Sequence, residues 1–427
     1  MYKIGIAGYG TVGTGVAELL ITHKNLIKEK TGLELELSAV LDKDWQRERP
    51  FSIDDSLKVS SLKELLDRSD IVVELIGGVG FAKELIEKAI ESKKHVVSAN
   101  KHLIATHGKE IFEKAKEHNV SIEFEASVGG GIPIIKALKE GLVANKINYI
   151  HGILNGTTNY ILTSMLDEGK SFEEALKEAK ALGYAEQDPT FDIEGIDAAH
   201  KIAILSSIAY GGYIDFNDIY IEGISNIDLL DVELGRELGY TIKLLAIAKA
   251  VDGELEVRVH PTFINHQEQL AKVSGVYNAI LIEGDFVGKS MLYGKGAGSK
   301  PTASAVVSDI IDIAKNTQKR FQAFNTDKSL KLNRNFNTRY YIRFEVEDKI
   351  GVLASIANVF AKYGISIASV LQKEMVCKVA KKENSLVVPL VILTHKAYEK
   401  DIKTALKDIE ELSVVKGKPI LIRLEEE

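Results

Sequence analysis

Between positions 179 and 201 the chain gathers Glu186, Asp188, Asp192, Glu194 and Asp197 and then closes on Lys201. Carboxylates this dense can hold a cationic group, and an ammonium is a donor that can hand over a proton. Pro189 forbids a helix through the middle of the stretch and restricts Asp188 to extended or turn geometry. Gly195 weakens any helix running through it. From about Asp197 the recurrence of Ile202, Leu205 and Ile208 predicts a helix. On that helix Asp197 and Lys201 are neighbours one turn apart, acid before base. The bland alternative is a solvated acidic loop feeding a core helix, with one surface ion pair.

What tips the balance is the N-terminus. An apolar strand over 2–7 runs into Gly8-Tyr9-Gly10-Thr11-Val12-Gly13, and a helix follows from about 12 to 30. Gly8 permits the tight turn, Gly10 lets a pyrophosphate approach the backbone, and Gly13 lets helix pack on strand. The helix N-terminus, at Thr11 and Val12, adds free N–H groups and a partial positive charge. A glycine turn needed only for packing is the competing reading. A second strand, 33–41, ends at Asp42, where an acid takes the ribose hydroxyls and favours NAD. Lys43 and Arg47 stand close enough to hold a 2′-phosphate instead, so NADP stays open. Strand 71–76 delivers Gly77 and Gly78 to the cofactor side of the sheet, and strand 95–99 delivers Asn100 and Lys101. Lys101 is therefore expected where nicotinamide and substrate meet.

These groups need scaffolds, and the 427 residues suffice for two to three domains. Hydrophobic residues make up 45% and charged residues 27%, the balance of a soluble globular protein. A net charge of −7 and the lack of a basic run argue against nucleic acid as a partner. No apolar run reaches transmembrane length and the chain starts almost directly in a strand, so a cytoplasmic protein is expected. The single cysteine, Cys377, rules out an intrachain disulfide and a cysteine zinc site.

The expected fold class is α/β. A Rossmann-type dinucleotide-binding domain spans 1–130 with a return helix over 300–320. An α+β substrate and dimerisation domain spans 131–299. There, Asn155-Gly156-Thr157-Thr158 turns a strand into a helix that Thr157 or Thr158 can cap, and Gly183 closes the next helix. A polar linker, 321–339, precedes a strand-helix-strand-strand-helix-strand pattern over 340–427, the ferredoxin-like arrangement.

With these residues in view, the chain resembles homoserine dehydrogenase over nearly its whole length, with the C-terminal ACT regulatory domain of many bacterial members. The stretch 179–201 carries the resemblance, with Ser98-Ala99-Asn100-Lys101, Asn155-Gly156-Thr157-Thr158-Asn159 and Gly296-Ala297-Gly298-Ser299-Lys300-Pro301-Thr302-Ala303-Ser304. The resemblance implies NAD(P)-dependent interconversion of L-homoserine and L-aspartate 4-semialdehyde, on the route to threonine, methionine and isoleucine. It implies Lys201 as proton donor and Lys101 as the second active-site lysine. Glu186 and Asp197 become homoserine contacts that grip its α-ammonium, with Asp192, Thr157 and Tyr184 around them. Gly183 and Gly298 line the cofactor, and Glu125, Val128, Gly130 and Ile132 match a sodium site. It also implies a homodimer or dimer of dimers, and an amino-acid effector, threonine first, at the ACT turn Asp348-Lys349-Ile350-Gly351. Two departures stand out: Leu41 where many members carry arginine, which weakens NADP, and Ile350 where the turn has proline. The regulatory domain is expected to be dispensable, so that a chain ending near residue 325 keeps its activity.

Two rivals remain. A phosphorylating semialdehyde dehydrogenase passes through a thioester, and Cys377 lies far along the chain from the cofactor loop. A non-enzymatic dinucleotide sensor explains the glycine loop and the tail but leaves Glu186, Asp197 and Lys201 without a purpose.

Overall fold

The computed structural model describes residues 1–316, 325–372 and 387–425. Cys377 and residues 317–324 of the expected linker and return-helix end lie outside them.

Six parallel strands form the first sheet, in the order Lys58–Val59, Leu35–Leu41, Tyr2–Ala7, Ile71–Glu74, His95–Ser98 and Ile122–Glu123. Strand order reverses beside Tyr2–Ala7, so the crevice of a doubly wound sheet opens at its carboxyl end. Ile71, Val72, Val73 and Glu74 are all fully buried, because helices cover both faces of a parallel sheet. The first helix is shorter than its sequence pattern predicts. Thr11–Thr22 stops at His23, and Lys24–Thr31 continues as a separate helix ending at left-handed Gly32. Helix Ser299–Lys315 returns to lie on Thr11–Thr22, where a side chain on Gly15 would meet Ser299 Oγ at 2.6 Å.

The second sheet runs Gly288–Lys295, Tyr277–Gly284, Ile147–Ile153, Tyr240–Val251, Glu254–Asn265 and continues without a break into the C-terminal strands Val415–Glu425, Asn337–Glu347, Val387–Thr394 and Ile367–Gln372. The junction is a parallel pairing, Thr262 with Arg423, Phe263 with Leu424 and Ile264 with Glu425. The last four strands pair antiparallel, with helices Val352–Lys362 and Glu399–Glu410 between them, the ferredoxin-like order.

This seam amends the expectation of a detachable C-terminal domain. Arg343 grips Asp231 with two bonds, Nε to Oδ1 at 2.7 Å and Nη2 to Oδ2 at 3.0 Å, and Tyr341 adds its hydroxyl to Oδ1 at 3.0 Å. Arg258 meets Glu256 and Glu425, the latter at 2.8 Å. All of these side chains are buried. A chain ended near residue 325 would leave Asp231 without these two partners and Arg258 with Glu256, and the edge of Glu254–Asn265 at Thr262–Ile264 would face water. The linker is not slack where described. Asn325–Ser329 pairs with Gly212–Tyr213, and Asn333 N donates to Leu255 O at 2.7 Å. Pairings across more than a hundred residues leave no trace in local periodicity. Among the described residues no helix is long and apolar enough to cross a membrane.

Candidate active site

A cleft of about 640 Å³ opens between the two sheets. Into it come Lys101, Lys201, Asp197, Asp192, Glu186, Tyr184, Thr157, Gly183, Gly130 and Gly298, drawn from both halves of the chain.

Each group is placed by a local device. Lys101 is the first residue of helix Lys101–His118, capped by Asn100, whose Oδ1 accepts from Leu103 N at 3.1 Å. Helix Ile196–Tyr210 starts after Gly195, left-handed at φ 79°, and carries Asp197 and Lys201 on one face. Pro189 does break the acid stretch, but the short helix Thr190–Ile193 follows it and presents Asp192. Asn155, not Thr157 or Thr158, caps helix Gly156–Glu168, its Oδ1 accepting from Thr158 N at 2.9 Å. Thr157 Oγ1 instead donates to Tyr184 O at 2.6 Å and ties down the loop that follows Gly183.

At the centre Asp197, fully buried, meets both lysines. Lys201 Nζ lies 2.7 Å from Oδ2, and Lys101 Nζ lies 2.5 Å from Oδ1 as an ion pair without hydrogen-bond alignment. Lys201 Nζ also donates to Leu154 O at 2.5 Å. Burial opposes the Asp197 charge, but the two ammonium groups win and hold its pKa far below the usual carboxylate range. Burial lowers the pKa of Lys201, with the Lys101 charge adding to that effect against the pull of Asp197. For Lys101 burial is outweighed by Asp197, and its pKa rises above that of an ordinary lysine. Two ammonium groups in one cleft are thus set apart, one that parts with its proton more readily and one that keeps it. Burial and the neighbouring Asp197 raise the pKa of Asp192. The sequence reading places Asp197 against the substrate ammonium; here its oxygens face Lys101, Lys201 and Asn155. Asp192 and the exposed Glu186 are the acids turned to the open cleft.

Asn155 went unassigned in the sequence reading. Its Nδ2 donates to Asp192 Oδ1 at 2.7 Å and to Asp197 Oδ2 at 2.8 Å while its Oδ1 caps the helix. The turn from strand to helix pointed to a cap at Thr157 or Thr158 instead, and the bridge between two acids some forty residues away appears only in three dimensions. Asn278 is likewise new, donating to the same Leu154 carbonyl at 3.0 Å.

The glycine loop lies at the far end of the crevice. A Cβ on Gly8, at φ 98°, would sit 2.6 Å from Leu75 O, and one on Gly13 would sit 2.0 Å from Gly8 O. Gly10 has nothing within 4 Å of its missing Cβ, which leaves the space before helix Thr11–Thr22 that a pyrophosphate needs. The residues present therefore suit a dinucleotide. Asp42 accepts from Tyr9 N at 2.5 Å and Asp44 N at 2.8 Å and pairs with Arg49 at 3.1 Å. Arg49 also lies over the Tyr9 and Trp45 rings, so the acid at the adenosine end is partly neutralised by an arginine the sequence reading did not single out.

Glu125 lies beside the cleft rather than in it. Its carboxylate accepts from Ile135 N at 2.8 Å and Lys136 N at 2.7 Å, and burial pushes its pKa up to about 7. Among the residues matched to sodium, Glu125 O also accepts from Val128 N at 3.3 Å and Ile132 O from Ile134 N at 2.8 Å. Among the described residues no cluster of His, Cys, Asp or Glu could hold a metal.

Comparison with known proteins points one way. The homoserine dehydrogenase family model matches residues 133–311, the homoserine dehydrogenase NAD-binding domain model matches 8–125, and the ACT domain model matches 340–414. The homoserine dehydrogenase of Neisseria gonorrhoeae is 44% identical over 99% of this chain and 98% of its own. The crystal structure of a homoserine dehydrogenase from Thiobacillus denitrificans aligns with a TM-score of 0.92 at 43% identity, covering 100% of this chain and 98% of the other. A hyperthermophilic archaeal homoserine dehydrogenase in complex with NADPH aligns at a TM-score of 0.59 and 29% identity, covering 75% of this chain and 99% of that one.

Proposed function

The chain belongs to the homoserine dehydrogenase family, an oxidoreductase interconverting L-homoserine and L-aspartate 4-semialdehyde, and from that premise we propose which residues do what. The observation that carries the proposal is the Lys101–Asp197–Lys201 array, with Asp197 and Lys201 buried and Lys101 half-buried, at the mouth of the nucleotide crevice.

A nicotinamide dinucleotide held in the crevice would supply or accept the hydride. Lys201 gives a proton to the aldehyde oxygen in reduction and takes it back in oxidation. Leu154 O and Asp197 hold its Nζ in place, and its lowered pKa eases the transfer. Lys101 keeps its proton and adds positive charge where the oxygen turns anionic. Glu186 and Asp192 receive the substrate α-ammonium. Asp197 serves that ammonium indirectly, by fixing both lysines and, through Asn155, Asp192. Thr157 holds the Tyr184 loop that closes the substrate side. Gly8, Gly10, Thr11, Val12 and Gly13 cradle the pyrophosphate, Gly183 and Gly298 line the nicotinamide end, and Asp42 reads the adenosine ribose. With Asp42 in place and Leu41 where an arginine would help NADP, NAD is used at least as well, though Arg49 softens the repulsion of a 2′-phosphate. A sodium ion would be held by the carbonyls of Glu125, Val128, Gly130 and Ile132.

The subunits form a homodimer through the middle domain. Its edge strand Gly288–Lys295 leaves Met291 and Tyr293 exposed on one face, beside Phe286, which is 90% exposed. Threonine binds in a cleft of about 550 Å³ lined by Asp348, Ile350, Gly351 and Gln372. There the start of helix Val352–Lys362 offers N–H groups to its carboxylate. The decisive experiment compares initial rates with L-homoserine and with 4-hydroxybutanoate, which lacks the ammonium. A loss of about 10³-fold or more in kcat/KM is expected for the second. Equal rates would remove Glu186 and Asp192 from substrate binding.

A further inference from the structure

We infer that Arg423, from the last strand of the chain, is a positioning residue for the active-site acids and acts through Glu222. The C-terminal domain is then part of what shapes the catalytic cleft. The inference rests on the reading of Asp192 and Asp197 given above.

Arg423 is fully buried at the seam between the domains. Its Nη2 donates to Glu399 Oε1 at 2.6 Å and to Tyr220 Oη at 2.9 Å, and its Nη1 donates to Glu222 Oε2 at 2.5 Å. Tyr220 closes the ring, its hydroxyl donating to Glu222 Oε2 at 2.7 Å. Glu399 belongs to the C-terminal domain and fixes the guanidinium, whereas Tyr220 and Glu222 belong to the catalytic half. Arg423 therefore ties one half to the other by a charged, bifurcated grip, which is far more directional than apolar packing.

Glu222 is the near end of a short rigid link. Its N–H donates to Val259 O at 2.8 Å, which extends the pairing of Tyr220–Ile221 with Glu254–Asn265. Gly223 follows, packed so closely that an added Cβ would sit 2.3 Å from Ile193 O and 2.5 Å from Glu194 Cα. Ile224 N donates to Ile193 O at 2.8 Å, and Ser225 Oγ donates to Glu194 Oε1 at 2.7 Å. Glu222 O itself lies 3.4 Å from where a Gly195 Cβ would stand. So 222–225 grips the turn 193–195 at three points. That turn leaves Asp192 on one side and starts the helix bearing Asp197 and Lys201 on the other. A shift of Glu222 moves the turn, and the turn sets the separation of Asp192 from the Asp197–lysine array.

Contact alone is not coupling, so the test is energetic. Glu222 is about one-third exposed, at 34%, and Glu222→Ala removes the grip without deleting a core side chain. Glu222→Gln keeps an oxygen acceptor for Arg423 Nη1. Steady-state rates with homoserine are measured on the full chain, with dinucleotide affinity from fluorescence titration and Tm alongside. Glu222→Ala is expected to lower kcat/KM for homoserine about tenfold, carried mainly by KM, with dinucleotide affinity unchanged. Glu222→Gln should recover to within about threefold. Unchanged kcat/KM in Glu222→Ala overturns the inference, as does a loss shared equally by homoserine and dinucleotide, the mark of general destabilisation. Should Glu222→Ala not fold, Tyr220→Phe removes only the hydroxyl between Arg423 and Glu222. A lowered Tm with unchanged kcat/KM in that variant is equally fatal. Asp192→Asn serves as the control: it loses homoserine kcat/KM if the acids bind substrate, whatever Glu222 does.

Discussion

Replacing Lys201 by alanine separates chemistry from architecture. A general acid in the transition state contributes about 10²–10⁴-fold, or about 3–5 kcal/mol at 1.36 kcal/mol per decade. The upper part of that range applies, because the Lys201 side chain is only 8% exposed and water has little access to take its place. The structural cost is smaller. Breaking a buried ion pair typically costs about 3–5 kcal/mol because a charge is left alone. Here Asp197 would still hold Lys101 at 2.5 Å and Asn155 at 2.8 Å, and Leu154 O would still accept from Asn278 at 3.0 Å. What remains is the lost packing of the butyl stem, about 1–3 kcal/mol. The glycine loop lies at the other end of the crevice and is untouched. The variant should therefore fold, bind dinucleotide within about twofold of the parent, and lose about 10³-fold in kcat in either direction. Initial rates at saturating homoserine, with fluorescence titration of the cofactor, read both quantities. A kcat within about tenfold of the parent would refute the assignment of Lys201 as donor, and a matching loss of dinucleotide affinity would show that its role is architectural.

Further outcomes follow from other parts of the molecule. NAD should give kcat/KM at least equal to NADP, and a preference for NADP above about tenfold, or about 1.4 kcal/mol, would show that Arg49, Lys43 or Arg47 governs the adenosine end. Light scattering at micromolar concentration should give a dimer or a multiple of it, and a monomer would contradict the role of the exposed Gly288–Lys295 edge. Threonine should inhibit the full chain and Asp348→Ala should weaken that response, whereas silence towards threonine, methionine, isoleucine and lysine would make the C-terminal cleft a structural feature only. Glu125, with its pKa raised by burial from 4.5 to about 7, keeps in the folded state a proton that the unfolded chain releases. Its contribution is complete below about pH 4.5 and is lost as pH rises through about 7, amounting to about 3 kcal/mol. Denaturant midpoints at pH 5 and pH 8 should differ less in Glu125→Gln than in the parent, and equal differences would show that another group carries the effect.

Much of this site was legible because the responsible signals are local. The order Gly8, Gly10, Gly13 is dictated by close approach: a side chain at Gly8 or Gly13 collides with backbone, and Gly10 alone faces open space. Asp197 and Lys201 meet because helical geometry brings residues one turn apart together, and Gly195 marks where that helix begins. The ferredoxin-like pattern was likewise written in alternation and helical spacing. Other features depend on which distant segments touch. The sequence offers Thr157 or Thr158 as the cap of its helix, yet Asn155 takes that place, and its amide bridges Asp192 and Asp197 because a separate turn delivers both acids to it. The pKa values of the two lysines diverge because burial prevails at Lys201, with the Lys101 charge adding to it, and Asp197 prevails at Lys101, and residue type carries none of this. The polar stretch before residue 340 reads as a linker, because composition records solvent contact but not strand pairing. Only the folded chain shows Val415–Glu425 completing the sheet of the catalytic half, with Arg258, Arg343 and Arg423 buried at the seam where each can find its acids. Those partners lie between two and some two hundred residues away, and it is tertiary contact that brings them within bonding distance.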